Sequence, residues 1–252
     1  MSFTVEAGAY DRFMGRYSTL LAPLMADLAP VTAPQRVLDV GCGPGALTAE
    51  LVQRLGPGSV SAVDPSEPFV SAARERYPGV DVQRAPAEHL PFADHAFDAT
   101  LAQLVVHFMA DPAAGIAEMA RVTRRGGVVV ACVWDHADGL GPLSRFWEAA
   151  RELNPDVRDE SQLVGTRPGE LAELLDAAGL HGIEATSLSV SVEHPSFEDW
   201  WEPFTLGVGP AGAYTASLDA RRQSQLRELC RERMSGAPFV VPAKAWAARG
   251  VV

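Results

Sequence analysis

Three glycines at alternate positions could bind an anion. They follow a short apolar run, residues 37–40, and are Gly41, Gly43 and Gly45. Glycine allows positive φ angles and lets a ligand approach the backbone closely. The segment after Gly45 has helical spacing, and a helix N-terminus offers free N–H groups and a partial positive charge. The pattern therefore predicts a site for a carboxylate or a diphosphate.

The spacing of these glycines helps to identify the ligand. Dinucleotide-binding loops prefer GxGxxG, whereas this loop reads GxGxG with Ala46 at the sixth position. Alanine is sometimes accepted there, so the loop by itself is weak evidence. A tight turn that binds no ligand remains an alternative.

Two acidic residues narrow the choice of ligand. Asp64 ends the next apolar run, 19 residues after Gly45, where a carboxylate can accept hydrogen bonds from both hydroxyls of a ribose. A helix-capping role for Asp64 is the alternative. Asp39 precedes the loop, and its charge would oppose a diphosphate but suit an ammonium. This favours a nucleoside that carries an amino acid over a nicotinamide dinucleotide.

The elements around these residues alternate between short apolar runs and helical patterns. The runs span residues 36–40, 60–63, 80–84, 97–102 and 128–134, and the helical patterns between them span 46–55, 67–77 and 112–123. This alternation predicts βαβ units and an α/β fold with a Rossmann-like, mostly parallel sheet. Later segments predict a helix over 168–178, strands over 183–192 and 239–248, and irregular helices over 195–235.

Composition and charge exclude several classes of protein. The 252 residues carry 21 Lys and Arg against 32 Asp and Glu, a net charge of −11. Such acidity argues against non-specific binding to nucleic acid or anionic lipid. The apolar runs are too short to span a membrane, and the N-terminus lacks a signal-peptide pattern. The three cysteines and six histidines show no metal-ligand spacing, so we expect no metal and a cytoplasmic location.

Several motifs together resemble class I S-adenosylmethionine-dependent methyltransferases, in particular the small-molecule branch that includes ubiquinone and menaquinone biosynthesis enzymes. The matching motifs are VLDVGCGPG at 37–45, AVDPS at 62–66, AEHLPFADHAFDATLAQLVVHF at 87–108 and EMARVTRRGGVVVACVWD at 118–135. The resemblance covers residues 36–135 strongly.

The resemblance implies a fold and a division of the chain. The family fold has six parallel strands and a seventh, antiparallel strand between the fifth and sixth. It implies an N-terminal helical flap over 1–35, a cofactor-binding core over 36–192, a helical lid over 193–238 and the last core strand over 239–252.

The resemblance also implies the residues that bind S-adenosylmethionine. Those at the methionine part are Gly41, Cys42, Gly43, Gln103 and Leu104, with Asp39 near the ammonium and Arg16 at the carboxylate. Those at the nucleoside are Asp64 and Pro65 for the ribose, and Ala87 and Glu88 for the adenine. A tyrosine of the flap could cover the sulfonium by cation–π attraction, although a plain amphipathic first helix is an alternative for that segment. Many relatives carry an Asp before the Ala-Glu pair, where this chain has Pro86.

The methyl acceptor is less well defined by the sequence. His107 follows Gln103 by four residues and is a candidate general base, with a packed or solvent-facing histidine as the alternative. An aromatic cluster could form the acceptor pocket or pack under the lid; its members are Phe197, Trp200, Trp201, Phe204 and Tyr214.

These features predict O- or C-methylation of a small, apolar or aromatic molecule by a monomer or homodimer, with no nucleic acid or membrane as partner. Two alternatives remain: a binding protein that has lost transferase activity, and a nicotinamide-dependent oxidoreductase. The GxGxG spacing and the absence of a YxxxK pair weigh against the oxidoreductase.

Overall fold

A seven-stranded sheet lies at the centre of the protein. The computed structural model describes residues 6–234 and 236–252. The strands are β1 (Val37–Val40), β2 (Val60–Asp64), β3 (Asp81–Arg84), β4 (Phe97–Gln103), β5 (Thr123–Trp134), β6 (His181–His194) and β7 (Phe239–Val251). Their order is β3-β2-β1-β4-β5-β7-β6, and only β7 pairs antiparallel with its neighbours. The predicted Rossmann-like α/β fold is confirmed.

Helices cover both faces of the sheet. Within the described ranges they are α1 (Ala7–Tyr10), α2 (Arg16–Leu28), α3 (Ala46–Leu55), α4 (Glu67–Arg76), α5 (Pro112–Val122), α6 (Ser144–Leu153), α7 (Glu170–Ala177), α8 (Phe197–Trp201), α9 (Gly209–Ser217) and α10 (Ala220–Glu232). A π-helical turn, Asp11–Gly15, joins α1 to α2. None of these helices is long and apolar enough to cross a bilayer.

The last strands are longer than the sequence pattern predicted. β6 and β7 pair along their whole length, from His181 opposite Val251 to His194 opposite Phe239. Much of β6 is exposed, so hydrogen bonding to β7 rather than apolar content sets its length. The predicted core boundary at residue 192 therefore falls inside β6.

Successive residues of the central strands enter different cores. Val37 packs in the core formed with α2, α3 and α6, whereas its neighbour Leu38 packs in the core formed with α5 and α7. Burial on both faces explains the nearly continuous apolar runs of the sequence. The parallel strands β1, β2 and β4 end side by side at their carboxyl ends, where ligands bind in open α/β sheets.

The N-terminal helices and the late helices form one cover over that edge. Arg16 of α2 donates two hydrogen bonds to Asp199 of α8, at 2.5 and 2.7 Å. Arg12 pairs with Glu202 at 2.7 Å, and Phe13 packs edge-on against Phe204. These contacts join the segment predicted as a flap to the segment predicted as a lid.

Candidate functional site

The glycine loop leaves open space at one position. Gly41 and Cys42 donate backbone hydrogen bonds to the Val63 carbonyl at 2.8 and 2.9 Å. A Cβ on Gly41 would lie 2.3 Å from the Val105 side chain, whereas a Cβ on Gly43 would meet nothing within 4 Å. Gly43 has a φ of 55° and lines the cavity above it. The loop thus needs Gly41 for packing, and Gly43 presents bare backbone to a ligand.

The cavity above the loop has a volume of about 250 Å³. Eight of the predicted cofactor-binding residues line it, namely Gly41, Gly43, Asp64, Pro65, Ala87, Glu88, Gln103 and Leu104. The rest of its wall is formed by Tyr10, Ser66, Phe69, Pro86, Val105, Phe108, Met109 and Ala110. Polar groups at the strand ends and apolar walls around them suit a ligand that is part polar and part aromatic.

Asp64 is held by backbone on both of its oxygens. Oδ2 accepts a hydrogen bond from the Gly43 N–H at 2.9 Å, and Oδ1 accepts one from the Ser66 N–H at 2.8 Å. Burial raises the pKa of Asp64 despite these hydrogen bonds. Each carboxylate oxygen can accept more than one hydrogen bond, so Asp64 retains acceptor capacity for two vicinal hydroxyls.

Two buried acceptors near the loop are unsatisfied. Gln103 donates from Nε2 to the Ser18 carbonyl at 3.0 Å, and its Oε1 has no hydrogen-bond partner. Asp39 accepts from the Thr48 hydroxyl at 2.7 Å, and its Oδ1 has none. Burial raises the pKa of Asp39 to about 7, with a contribution from the nearby Asp64 charge. Unpaired buried acceptors favour a ligand with N–H donors.

Glu88 shapes the part of the cavity predicted for adenine. Its Oε1 accepts from the backbone N–H groups of Ala110 and Asp111, at 2.7 and 3.1 Å. These bonds fix the backbone at residues 110–111, and Ala110 also lines the cavity. Pro86 lines the cavity as well and has no N–H to offer a base.

Three predicted residues do not line the cavity. Asp39 and Cys42 are buried behind it, and Cys42 Sγ donates to the Gly43 carbonyl. Arg16 was expected at the cofactor's carboxylate, but its guanidinium pairs with Asp199 and also lies 3.2 Å from His194 Nδ1. The charge of Arg16 is thus paired inside the cover, and its contact with the cofactor's carboxylate stays a prediction. Tyr10 is the residue of this segment that reaches the cavity.

A smaller cavity of about 40 Å³ adjoins the first. Both are lined by Tyr10, Leu104 and Phe108. Leu104 has a φ of 62°, a strained conformation for a non-glycine residue that clusters at functional sites. The remaining wall of the small cavity is formed by Phe13, Met14, His107, Trp134, His136, Leu143, Glu160, Val208, Gly209 and Pro210.

His107 is in the small cavity, as its position after β4 suggested. It lies on the 3-10 turn Val106–Phe108, and its Nδ1 is buried without a hydrogen-bond partner. Burial lowers the pKa of His107 well below its usual value, and His136 adds to the effect. The imidazole is therefore neutral near pH 7 and has a nitrogen available to an acceptor.

The sequence did not reveal two ionisable residues of this cavity, His136 and Glu160. Burial lowers the pKa of His136 to about 4 and raises that of Glu160 to about 7. Both lie in segments without a motif or regular periodicity, so no local signal distinguishes them from surface residues.

The predicted aromatic cluster packs under the lid instead of lining either cavity. Phe204 stacks on Phe146 with ring centroids 4.4 Å apart, and Trp200 lies 4.7 Å from Phe204. All members except Tyr214 are buried. The structure supports the packing alternative for these residues.

Comparison with known proteins identifies the domain. Residues 38–131 match the family model described as a methyltransferase domain. An uncharacterised methyltransferase of Mycobacterium bovis is 35% identical over 164 residues, covering 65% of this chain and 64% of that protein. The malonyl-[acyl-carrier protein] O-methyltransferase of Pectobacterium atrosepticum is 33% identical over 148 residues, covering 58% of this chain and 56% of that protein. The matches span less than two thirds of these relatives' length.

Solved structures share the fold. The YcgJ protein of Bacillus subtilis aligns with a TM-score of 0.61 at 21% identity, covering 93% of this chain and 97% of that one. The family match falls on β1 to β5, the strands whose ends form the larger cavity. Residues 38–131 thus form a domain of the methyltransferase family.

Proposed function

We propose that this chain methylates an oxygen or carbon atom of a small, apolar or aromatic molecule. The observation that carries the proposal is the pair of adjoining cavities, one with polar strand ends and one with an apolar wall and a buried imidazole. Two ligands placed in them would meet beside Leu104. The O-methyltransferase among the relatives supports oxygen as the acceptor atom.

Residues of the larger cavity suit the parts of S-adenosylmethionine. Asp64 can accept hydrogen bonds from the ribose hydroxyls, and Gln103 Oε1 can accept one from the ammonium. Gly43 supplies bare backbone beside the methionine part. Tyr10 can place its ring near the sulfonium, since it lines both cavities and a positive charge is attracted to an aromatic face.

The protein contributes alignment, exclusion of water and acceptance of a proton. When bound, S-adenosylmethionine supplies an electrophilic methyl group on sulfur. Leu104, Phe108 and Tyr10 narrow the junction between the cavities and restrict the angle at which an acceptor can approach. His107 lines the small cavity and can help to orient the acceptor, and the apolar wall keeps competing water out.

The expected location and partners follow from the same features. The three cysteines, Cys42, Cys132 and Cys230, are buried and unpaired, which supports a cytoplasmic location. A small molecule is the proposed partner, and a monomer or homodimer is the proposed state.

Calorimetric titration with S-adenosylmethionine, S-adenosylhomocysteine and NADH tests the proposal. We expect both sulfur nucleosides to bind and NADH not to bind. Asp64→Asn should weaken binding of S-adenosylhomocysteine about 30-fold, because a carboxylate accepts hydrogen bonds more strongly than an amide. Asp81→Asn, on exposed β3, is the matched control. Binding of NADH instead would favour the oxidoreductase. Nucleoside binding without turnover of any acceptor in a metabolite extract would favour the inactive protein.

A further inference from the structure

Glu160 is a buried acid to which the proposed function assigns no role. Its side chain lines the small cavity and only 2% of its surface is exposed. The Trp147 side chain is near enough to lower its pKa slightly against the effect of burial, but Oε2 has no partner in hydrogen-bond geometry. Leaving such a group unpaired costs free energy. A buried, unpaired acceptor beside a cavity is therefore a sign of a ligand that donates a hydrogen bond there.

The turn that carries Glu160 is firmly held. Asp159 accepts a hydrogen bond from the Ser161 N–H at 2.9 Å and pairs with Arg151 of α6 at 2.6 Å. The Thr166 hydroxyl donates to the Leu163 carbonyl at 2.8 Å. These bonds fix the turn Glu160–Gln162 against α6, so Glu160 is presented from a rigid support.

We infer, on the basis of the proposed function, that Glu160 binds the hydroxyl of the methyl acceptor and receives its proton, and that the acceptor is a phenol. In the transfer, the acceptor's O–H bond breaks and its proton goes to Glu160 Oε2. The electron pair of the oxygen forms the new O–C bond, and the bond from the methyl carbon to sulfur breaks, leaving a neutral thioether. The protonated Glu160 then releases its proton to water after the product leaves.

Glu160 is better suited to hold the proton than its neighbours are. Burial raises the pKa of Glu160 to about 7, close to the pH at which a general base works best. Burial lowers the pKa of His107 well below its usual value and that of His136 to about 4. Tyr10, which also lines this cavity, has its pKa raised to about 12. Next to Glu160, Asp159 is ionised and paired with Arg151.

The wall of the small cavity favours a phenol over a charged acceptor. Apolar side chains dominate it, among them Phe13, Trp134 and Leu143, and no Lys or Arg is among the described residues that line it. A carboxylate or phosphate on the acceptor would find no cation there. The cavity of about 40 Å³ is smaller than an aromatic ring, so a phenol would put only its hydroxyl end there, with its donor on Glu160, and extend its ring through the junction at Leu104.

The test uses a panel of phenols (p-cresol, catechol and p-nitrophenol) and a matched panel of aryl amines. Glu160→Gln removes the base and keeps the shape, and Glu173→Gln, on the exposed face of α7, is the control. Binding of each phenol to the S-adenosylhomocysteine complex is measured by calorimetry. Methyl transfer is measured as a function of pH, and melting temperatures verify that both variants are folded.

We expect the wild type and the control to methylate at least one phenol, with kcat/KM rising with pH through about 7 as Glu160 ionises. Glu160→Gln should lose that rise and lower kcat about 100-fold, while S-adenosylhomocysteine binds within about twofold of wild type. The inference is overturned if Glu160→Gln keeps its rate and pH profile, if no phenol binds the wild-type complex, or if only amines are methylated. Failure of the wild type to bind S-adenosylhomocysteine would instead overturn the proposed function.

Discussion

The two adjoining cavities are built in different ways. Apart from Tyr10, the larger one is formed by residues 41–110, at the ends of neighbouring parallel strands. The smaller one takes its wall from five separate stretches, residues 10–14, 104–108, 134–143, 160 and 208–210. Strand ends meet wherever a parallel sheet forms, whereas the second wall depends on how the covering segments pack. The proposed cofactor side thus follows from the fold, and the proposed acceptor side depends on contacts between segments that are far apart in sequence.

The sharpest test of the cofactor side is to fill the space above the loop. Gly43→Ala should weaken binding of S-adenosylhomocysteine about 100-fold, because the new methyl group enters the cavity. Its effect on stability should be only about 1 kcal/mol, the cost of a left-handed alanine, since a Cβ there meets no protein atom. Calorimetry and urea unfolding measure the two quantities.

Gly179→Ala is the matched control for this substitution. Gly179 also has a positive φ, and a Cβ at this position would meet nothing within 4 Å. It follows α7 and lies away from both cavities. The variant should lose similar stability and keep full affinity. Equal affinities in the two variants would contradict a ligand at Gly43.

The same contrast explains what the sequence could predict. The glycine loop, Asp64 and Gln103 follow apolar runs at fixed spacing, so both the sheet and the larger cavity were predictable. Glu160 is one of several acids in an irregular stretch, and its burial depends on packing against α6. The pairing of Arg16 with Asp199 was not predictable, because the two residues lie 183 residues apart in sequence and no local pattern indicates such a pairing.

On the acceptor side, we expect catalysis to change without cofactor affinity. His107→Asn replaces an imidazole that lines the small cavity with a smaller side chain and should lower kcat about tenfold through poorer alignment of the acceptor. Affinity for S-adenosylhomocysteine should stay within about twofold. Phe108 lies at the junction of both cavities, so Phe108→Leu should change both kcat and the affinity for S-adenosylhomocysteine. This variant shows that the two measurements can detect a change on either side. An unchanged kcat in His107→Asn would remove His107 from the mechanism.

The ionisation of Asp39 should make both stability and cofactor binding depend on pH. Its pKa is raised to about 7 by burial, so the folded protein holds this proton more tightly than the unfolded chain does. The contribution to stability is full below the ordinary carboxyl pKa and is lost as pH rises through about 7. A ligand ammonium favours the ionised form, so binding should release a proton and strengthen by up to about tenfold from pH 6 to pH 8.

Asp39→Asn should abolish this gain, because an amide does not titrate. Titrations in buffers of different ionisation enthalpy measure the released proton directly. Asp64 also has a raised pKa, so a pH dependence that persists in Asp39→Asn would assign the proton to Asp64 or to another group.

The smallest effect is expected from breaking the Arg16–Asp199 ion pair, which joins the two parts of the cover. Arg16→Met should lower the free energy of unfolding by about 1 kcal/mol, because it leaves Asp199 without its bidentate partner. Arg12→Met should lower it less, since the Arg12–Glu202 pair is mostly exposed. Neither change should move the affinity for S-adenosylhomocysteine by more than about twofold, because neither side chain lines the larger cavity. A large loss of affinity in Arg16→Met alone, with stability unchanged, would instead place Arg16 at the cofactor's carboxylate and make the cover part of the cofactor site.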